Sequence, residues 1–161
     1  MDERDRGTTR REILGMVAAL PLVGCASATP ADDDDDTPAG PSPLPDDPVE
    51  VGTVDSIPPS SLAIVPGQPL AIGRDDAGLW ALGTVCTHLG CNIANAGLGG
   101  DISFARIACG CHGSQYGRDG EVLVGPSNRD LPNYRVVVEA DGRVFIDATQ
   151  EVALGTRVTI V

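Results

Sequence analysis

Two short stretches of the chain place sulfur and nitrogen donors at ligand spacing: Cys86-Thr87-His88-Leu89-Gly90-Cys91 and Cys109-Gly110-Cys111-His112-Gly113-Ser114-Gln115-Tyr116. The chain has two His, and both lie in these stretches. Cys86-x-His88 and Cys109-x-x-His112 each offer one thiolate and one imidazole from a tight turn. Four such ligands fit two inorganic groups. One is a structural zinc ion. The other is a [2Fe–2S] cluster in which two His replace two Cys on one iron. A zinc module more often takes two Cys from one loop and two His from a helix. Here Gly90, Gly110, Gly113 and Gly117 crowd the donors and argue for loops. Two facing loops suit a cluster with both thiolates on one iron and both imidazoles on the other. Structural zinc stays open as the alternative.

The pair C-T-H-L-G-C and C-G-C-H-G-S-Q-Y resembles the Rieske iron–sulfur proteins, in particular the high-potential type of quinol–cytochrome oxidoreductases. The likeness spans roughly residues 50–161. It implies one [2Fe–2S] cluster, with Cys86 and Cys109 on the buried iron and His88 and His112 on the outer one. It also implies a disulfide between the spare cysteines, Cys91 and Cys111, which needs an oxidising compartment. By the same likeness the Ser114 hydroxyl donates to a bridging sulfide, and the Tyr116 hydroxyl donates to a cluster Cys sulfur, by position that of Cys86. Hydrogen bonds to sulfur favour the reduced, more negative cluster and raise its potential. The family's covering loop often reads G-P-A-P. This chain has Gly125-Pro126-Ser127-Asn128, so the second Pro is missing. Gly117 stands where an Asp is common.

Short strands with turn punctuation must carry these loops. Gln68–Gly73 and Leu79–Val85, joined by Asp75-Asp76-Ala77-Gly78, read as a hairpin leading into the first loop. Phe104–Ala108 reads as a strand leading into the second. Arg118-Asp119-Gly120-Glu121 is a turn. Tyr134–Glu139 and Arg143–Asp147, joined through Asp141-Gly142, form the clearest hairpin. Arg157–Val161 reads as a closing strand, and Asn92–Asp101 as a Gly- and Ala-rich loop. The expected fold is all-β: a small antiparallel sandwich or barrel with a cluster-binding subdomain, over residues 49–161.

The preceding residues read as an address and a tether. Thr9-Arg10-Arg11-Glu12-Ile13-Leu14 matches a twin-arginine export signal, a route that carries proteins already folded with their cofactor. The apolar run, about a dozen residues, is too short for a membrane helix, which needs about 20. It ends in Leu22-Val23-Gly24-Cys25, which resembles a bacterial lipobox. The first expectation is cleavage after residue 24 and lipidation of Cys25. Cleavage after Ala28, or retention of the segment as an anchor, follow in that order. Residues 25–48 hold seven acids and no base, including the run Asp32 to Asp36, and read as a self-repelling flexible spacer.

Of the net charge of −12, most therefore lies in this spacer. There is no Lys, and no basic patch of the kind nucleic-acid binding needs. With both His committed to a cluster, neither a two-His-one-carboxylate iron site nor a Ser-His-Asp triad is possible. The motif C-x-x-C-H for covalent haem is absent. The reading is an exported one-electron carrier or redox subunit on the extracytoplasmic side. It would take electrons from a quinol/cytochrome b-type donor or from the large subunit of an arsenite-oxidase-like molybdenum enzyme, and pass them to a cytochrome c or similar acceptor. Reduction adds negative charge beside the imidazoles, so electron uptake is expected to draw protons with it. The resemblance implies that an exposed ligand His accepts a hydrogen bond from quinol, and by loop position His112 is the expected contact.

Overall fold

The computed structural model describes Leu44 and residues 46–160; the export signal, Cys25 and most of the acidic spacer lie outside the described residues. Ten strands follow in chain order: β1 Val49–Thr53, β2 Ser61–Ile64, β3 Leu70–Asp75, β4 Gly78–Gly83, β5 Asp101–Ile102, β6 Ile107–Ala108, β7 Gln115–Tyr116, β8 Val122–Val124, β9 Asn133–Val138 and β10 Arg143–Val152. Among the described residues, helical structure is confined to two one-turn 3₁₀ segments, Val54–Ser56 and Ala96–Leu98. The strands build two antiparallel sheets, one ordered β1-β10-β9-β4-β3-β2 and one ordered β5-β6-β7-β8. The expectation of an all-β antiparallel fold is met.

Both hairpins anticipated from turn chemistry are present. β3 pairs with β4 from Asp75↔Gly78 to Leu70↔Gly83. The Asp75 carboxylate accepts the Ala77 N–H at 3.0 Å, closing the turn. β9 and β10 flank the Asp141-Gly142 turn, and β10 runs on to Val152, past the expected Asp147. The strand anticipated over Phe104–Ala108 shrinks to Ile107–Ala108.

Over the described residues 157–160, the closing strand expected over Arg157–Val161 does not form. It is reduced to one bridge, Leu79↔Val158. One edge of β4 is taken by β3, and its other edge pairs with β9 at Ala81 and Leu82. Only the segment around Leu79 is open there, and Val158 fills it with reciprocal bonds of 3.0 and 2.9 Å.

The central strand β4 is buried at all six positions. Its side chains alternate between two cores, as a strand covered on both faces requires. Leu79 and Ala81 join Ile72, Val136, Val144 and Ile146 in one core. Trp80 and Leu82 point to the other, where they meet Ile107, Tyr116 and Leu131 together with Cys86 and Cys109. The second core lies between the large sheet and the small one, so the same strand that organises the frame also seats the metal-donor loops. The small sheet enters and leaves within one rung of the large one. Gly83 donates to the Pro132 carbonyl at 2.8 Å, next to the Leu82↔Asn133 pair.

Arg157 fastens the chain's last segment to both sheets. Its guanidinium bonds Asp75 at the β3–β4 turn (3.1 Å) and also Asp119 beyond β7, while it stacks over the Trp80 ring at 4.0 Å. The Trp80 indole N–H donates to the Arg118 carbonyl at 3.2 Å. Burial alone would raise the Asp75 pKa, but the Arg157 contacts and the Ala77 N–H outweigh it and hold the carboxyl below its ordinary value. A depressed folded-state pKa contributes stability above the unfolded value and loses it as pH falls through the folded one. Arg157→Ala should therefore be less stable than wild type at neutral pH. The gap should narrow as pH drops below the ordinary value of 3.8, as read by denaturant unfolding across that range.

Candidate metal centre

The two donor loops share one backbone frame. In the first, the Cys86 N–H bonds the Cys91 carbonyl at 2.8 Å and the Gly90 N–H bonds the Cys86 carbonyl at 2.9 Å. In the second, the Cys109 N–H bonds the Ser114 carbonyl at 2.8 Å and the Gly113 N–H bonds the Cys109 carbonyl at 3.0 Å. Each loop is thus closed on both peptide groups of its leading Cys. Gly90 and Gly113 hold φ of +78° and +82° at equivalent positions, and a Cβ on either would meet nothing within 4 Å. These glycines are needed for the left-handed turn alone. The first loop follows β4 of the large sheet, and the second joins β6 to β7 of the small one.

On that common frame the side chains differ. The second residue after the leading Cys is His88 in one loop and Cys111 in the other, the third is Leu89 or His112, and the fifth is Cys91 or Ser114. Cys91 and Cys111 form a disulfide that ties the loops together, with Cα atoms 6.7 Å apart. Among the described residues the free cysteines are Cys86 and Cys109, both buried. The imidazoles of His88 and His112 meet edge to face, with ring centroids 4.9 Å apart. His88 is half-buried and His112 exposed. The structure thus brings the two imidazoles together and sets the two free thiols in one core, sulfur inside and nitrogen outside.

The donors fit an iron–sulfur group. His88 Nδ1 is buried and has no hydrogen-bond partner, an orphaned acceptor of the kind a ligand satisfies. Burial pushes both free thiols up. At Cys86 the Tyr116 hydroxyl leads a set of hydrogen bonds, with the His88 N–H, the Cys109 thiol and the Ser114 hydroxyl, that outweighs burial and lowers the pKa. At Cys109 burial prevails, helped by the neighbouring Cys86 charge, and the pKa is raised. Metals take thiolates, and the surroundings of Cys86 stabilise one before any metal binds.

Ser114 and Tyr116 are fully buried beside the sulfurs. The Tyr116 hydroxyl lies 3.2 Å from Cys86 Sγ. Burial first, and then the bond to Cys86, raises the Tyr116 pKa. Two residues missed in the sequence also belong here. Thr87 presents its N–H (3.3 Å) and its hydroxyl (3.1 Å) to the Tyr116 oxygen. Ser127, from the covering loop with its cis Gly125–Pro126 bond, donates its N–H to Ser114 Oγ at 3.0 Å and bonds the Thr87 hydroxyl. The signal was a hydroxyl in the second residue after Gly125. It reads as an exposed loop Ser until the loop is seen folded over the site.

Two closed loops offering two thiols and two imidazoles from an all-β frame define a small domain built to bind a metal cluster. The chain belongs to the Rieske [2Fe-2S] domain family, whose model matches residues 47–135. It binds one [2Fe–2S] cluster. The cytochrome b6-f complex iron-sulfur subunit of Chlorobaculum tepidum is 38% identical over 68 residues, which is 42% of this chain and 34% of that protein. The subunit of the same name from Prochlorococcus marinus is 37% identical over 89 residues, 53% of this chain and 46% of that protein. The chain thus spans between a third and a half of the length of these relatives. A solved structure, the plasma membrane Rieske protein PetC3 of Synechocystis PCC 6803, aligns with a TM-score of 0.46 at 26% identity, covering 62% of this chain and 99% of that one.

The disulfide spans 20 residues of sequence. On the loop-closure scale such a bridge is worth about 3 kcal/mol. The double variant Cys91→Ser/Cys111→Ser should lose stability of that order in denaturant unfolding, with the loss disappearing when wild type is compared under reducing conditions.

Proposed function

We propose that this chain is a one-electron carrier in which Cys86 and Cys109 hold the inner iron of the cluster and His88 and His112 the outer iron. The observation that carries the reading is the sorting of donors by depth: two buried thiols beneath two imidazoles, one of them with an orphaned Nδ1. When bound, the cluster supplies a single reversible electron. The protein keeps the sulfur side dry within the core of Trp80, Leu82, Ile107 and Leu131. His112, at the exposed rim, is the residue placed to meet a quinol or another donor. Tyr116 and Ser114 direct hydroxyl protons toward sulfur, which favours the reduced state and places the potential in the upper part of the Rieske range, about −150 to +300 mV.

Residues 1–24 act as a twin-arginine lipoprotein signal, Cys25 as the lipidated anchor and residues 25–48 as a spacer that lets the domain from Val49 onward move between partners outside the cytoplasm. Support comes from the paired Arg10-Arg11, the lipobox-like Leu22–Cys25 and a disulfide that suits an oxidising compartment. Among the described residues no helix is long and apolar enough to cross a membrane. A cytochrome b-type quinol-oxidising donor and a c-type acceptor are the favoured partners, because the relatives named above are cytochrome-complex subunits. A molybdenum-enzyme partner rests on the export signal and the cluster loops alone.

Reduced holoprotein should give the rhombic electron-paramagnetic signal of a two-His cluster; a silent reduced sample, as zinc would give, overturns the assignment. His112→Ala should abolish that signal or cluster retention. Cys25→Ala should abolish labelling with radioactive fatty acid and release the protein from membranes, whereas retained membrane binding would point to an uncleaved anchor.

A further inference from the structure

The hydroxyl protons around the sulfur of Cys86 can be assigned one by one. Three hydroxyls, those of Thr87, Tyr116 and Ser127, meet at Thr87, and two of them, Thr87 and Ser127, also reach one pure acceptor, the Arg129 carbonyl. The Thr87 hydroxyl donates to that carbonyl at 2.6 Å. Its proton is thereby spent, and both lone pairs of Thr87 Oγ1 face donors. Two hydroxyls compete for them: Ser127, in close contact, and Tyr116, at 3.1 Å. Ser127 also reaches the Arg129 carbonyl, but at the longer distance of 3.4 Å. Tyr116 also has a second choice, Cys86 Sγ at 3.2 Å. An oxygen that already accepts one hydrogen bond is a poorer acceptor for the next, because bonded hydroxyls polarise one another. While Ser127 donates to Thr87, the Tyr116 proton is turned toward sulfur.

The same residue acts on the second hydroxyl. The Ser127 N–H fills a lone pair of Ser114 Oγ at 3.0 Å, at a site with no solvent exposure for Ser114. With one lone pair of Ser114 Oγ filled by that N–H, its own proton is left to point away from Ser127.

We propose that Ser127 is a positioning residue for the cluster: by donating its hydroxyl to Thr87 and its N–H to Ser114, it commits the Tyr116 and Ser114 protons to sulfur and so raises the reduction potential. This rests on the reading of Cys86 as a cluster ligand and Tyr116 as its donor. Ser127 touches no ligand sulfur and acts through its neighbours. Its hydroxyl is buried, with 6% exposure for the residue, so water does not readily replace it.

The test uses full-length holoprotein and protein-film voltammetry, with cluster content read from the visible absorbance. Tyr116→Phe should lower the potential. Ser127→Ala keeps the loop backbone and the bond to Ser114, and should lower the potential by a smaller step. Ser127→Ala added to Tyr116→Phe should produce no further shift, since the proton it directs is gone. In a Thr87→Val background, Ser127→Ala should also be silent, because the competing acceptor is absent. An unchanged potential in Ser127→Ala alongside a lowered one in Tyr116→Phe overturns the positioning role and leaves the donor role standing. Additive shifts overturn it too, and indicate that Ser127 acts by shielding. An unchanged potential in Tyr116→Phe overturns the donor reading itself. Should Ser127→Ala lose its cluster, Thr87→Val alone decides: an equal or raised potential supports the competition, and a lowered one refutes it.

Discussion

The structure depends on the closure of two loops by the peptide groups of their own leading cysteines. A thiolate buried under an imidazole is an unfavourable arrangement for a mobile chain, since charge must leave water and backbone must be fixed. Here the backbone of each loop satisfies itself: Cys86 and Cys109 each spend both their N–H and their carbonyl within the loop. The sulfurs are then carried inward without leaving polar main-chain groups unpaired beneath them. The rest of the fold supplies what a six-residue loop cannot, which is a floor and a lid.

The floor is β4, and it explains why a protein with so few aromatics can bury the site. Trp80 is the largest fully buried side chain and lies under the donor loops, while its neighbours Leu79 and Ala81 face the opposite core. The insert between the loops adds a second constraint. A Cβ on Gly110 would lie 1.9 Å from the Leu98 carbonyl oxygen, so the insert rests directly on the second loop. The glycine in C-G-C-H is there for close approach, which is a different reason from that of Gly90 and Gly113. The lid is the covering loop, whose departure from the family's usual residues places a hydroxyl where it joins the network around Tyr116.

Much of this was legible in the residues. The family was readable because Cys and His are rare and the spacing of the two Cys/His stretches is chemically restrictive. The two hairpins were readable because Asp75–Gly78 and Asp141-Gly142 combine a turn with apolar runs. The failures share a cause. β5, β6 and β7 are two residues long, and the Val158 bridge is one. No periodicity can be seen over two residues, and what extends or truncates a strand there is whether a neighbour's edge is free, a property of the assembled sheet. Thr87 and Ser127 escaped notice for a related reason. They lie 40 residues apart and make a hydrogen-bonded pair only after the lid has closed.

The cluster-binding half departs from the large sheet at Gly83 and returns at Asn133, on adjoining positions of one ladder. Geometrically it is a cassette. A short turn could close the same gap without disturbing a single register in the six-stranded frame. Residues between these points can therefore be lengthened, shortened or exchanged during evolution while the frame keeps its pairing, provided something still covers Leu62, Ala71, Trp80 and Leu82. That apolar face is what ties the two halves together: any segment set in this place has the task of covering it, whether or not it carries a metal.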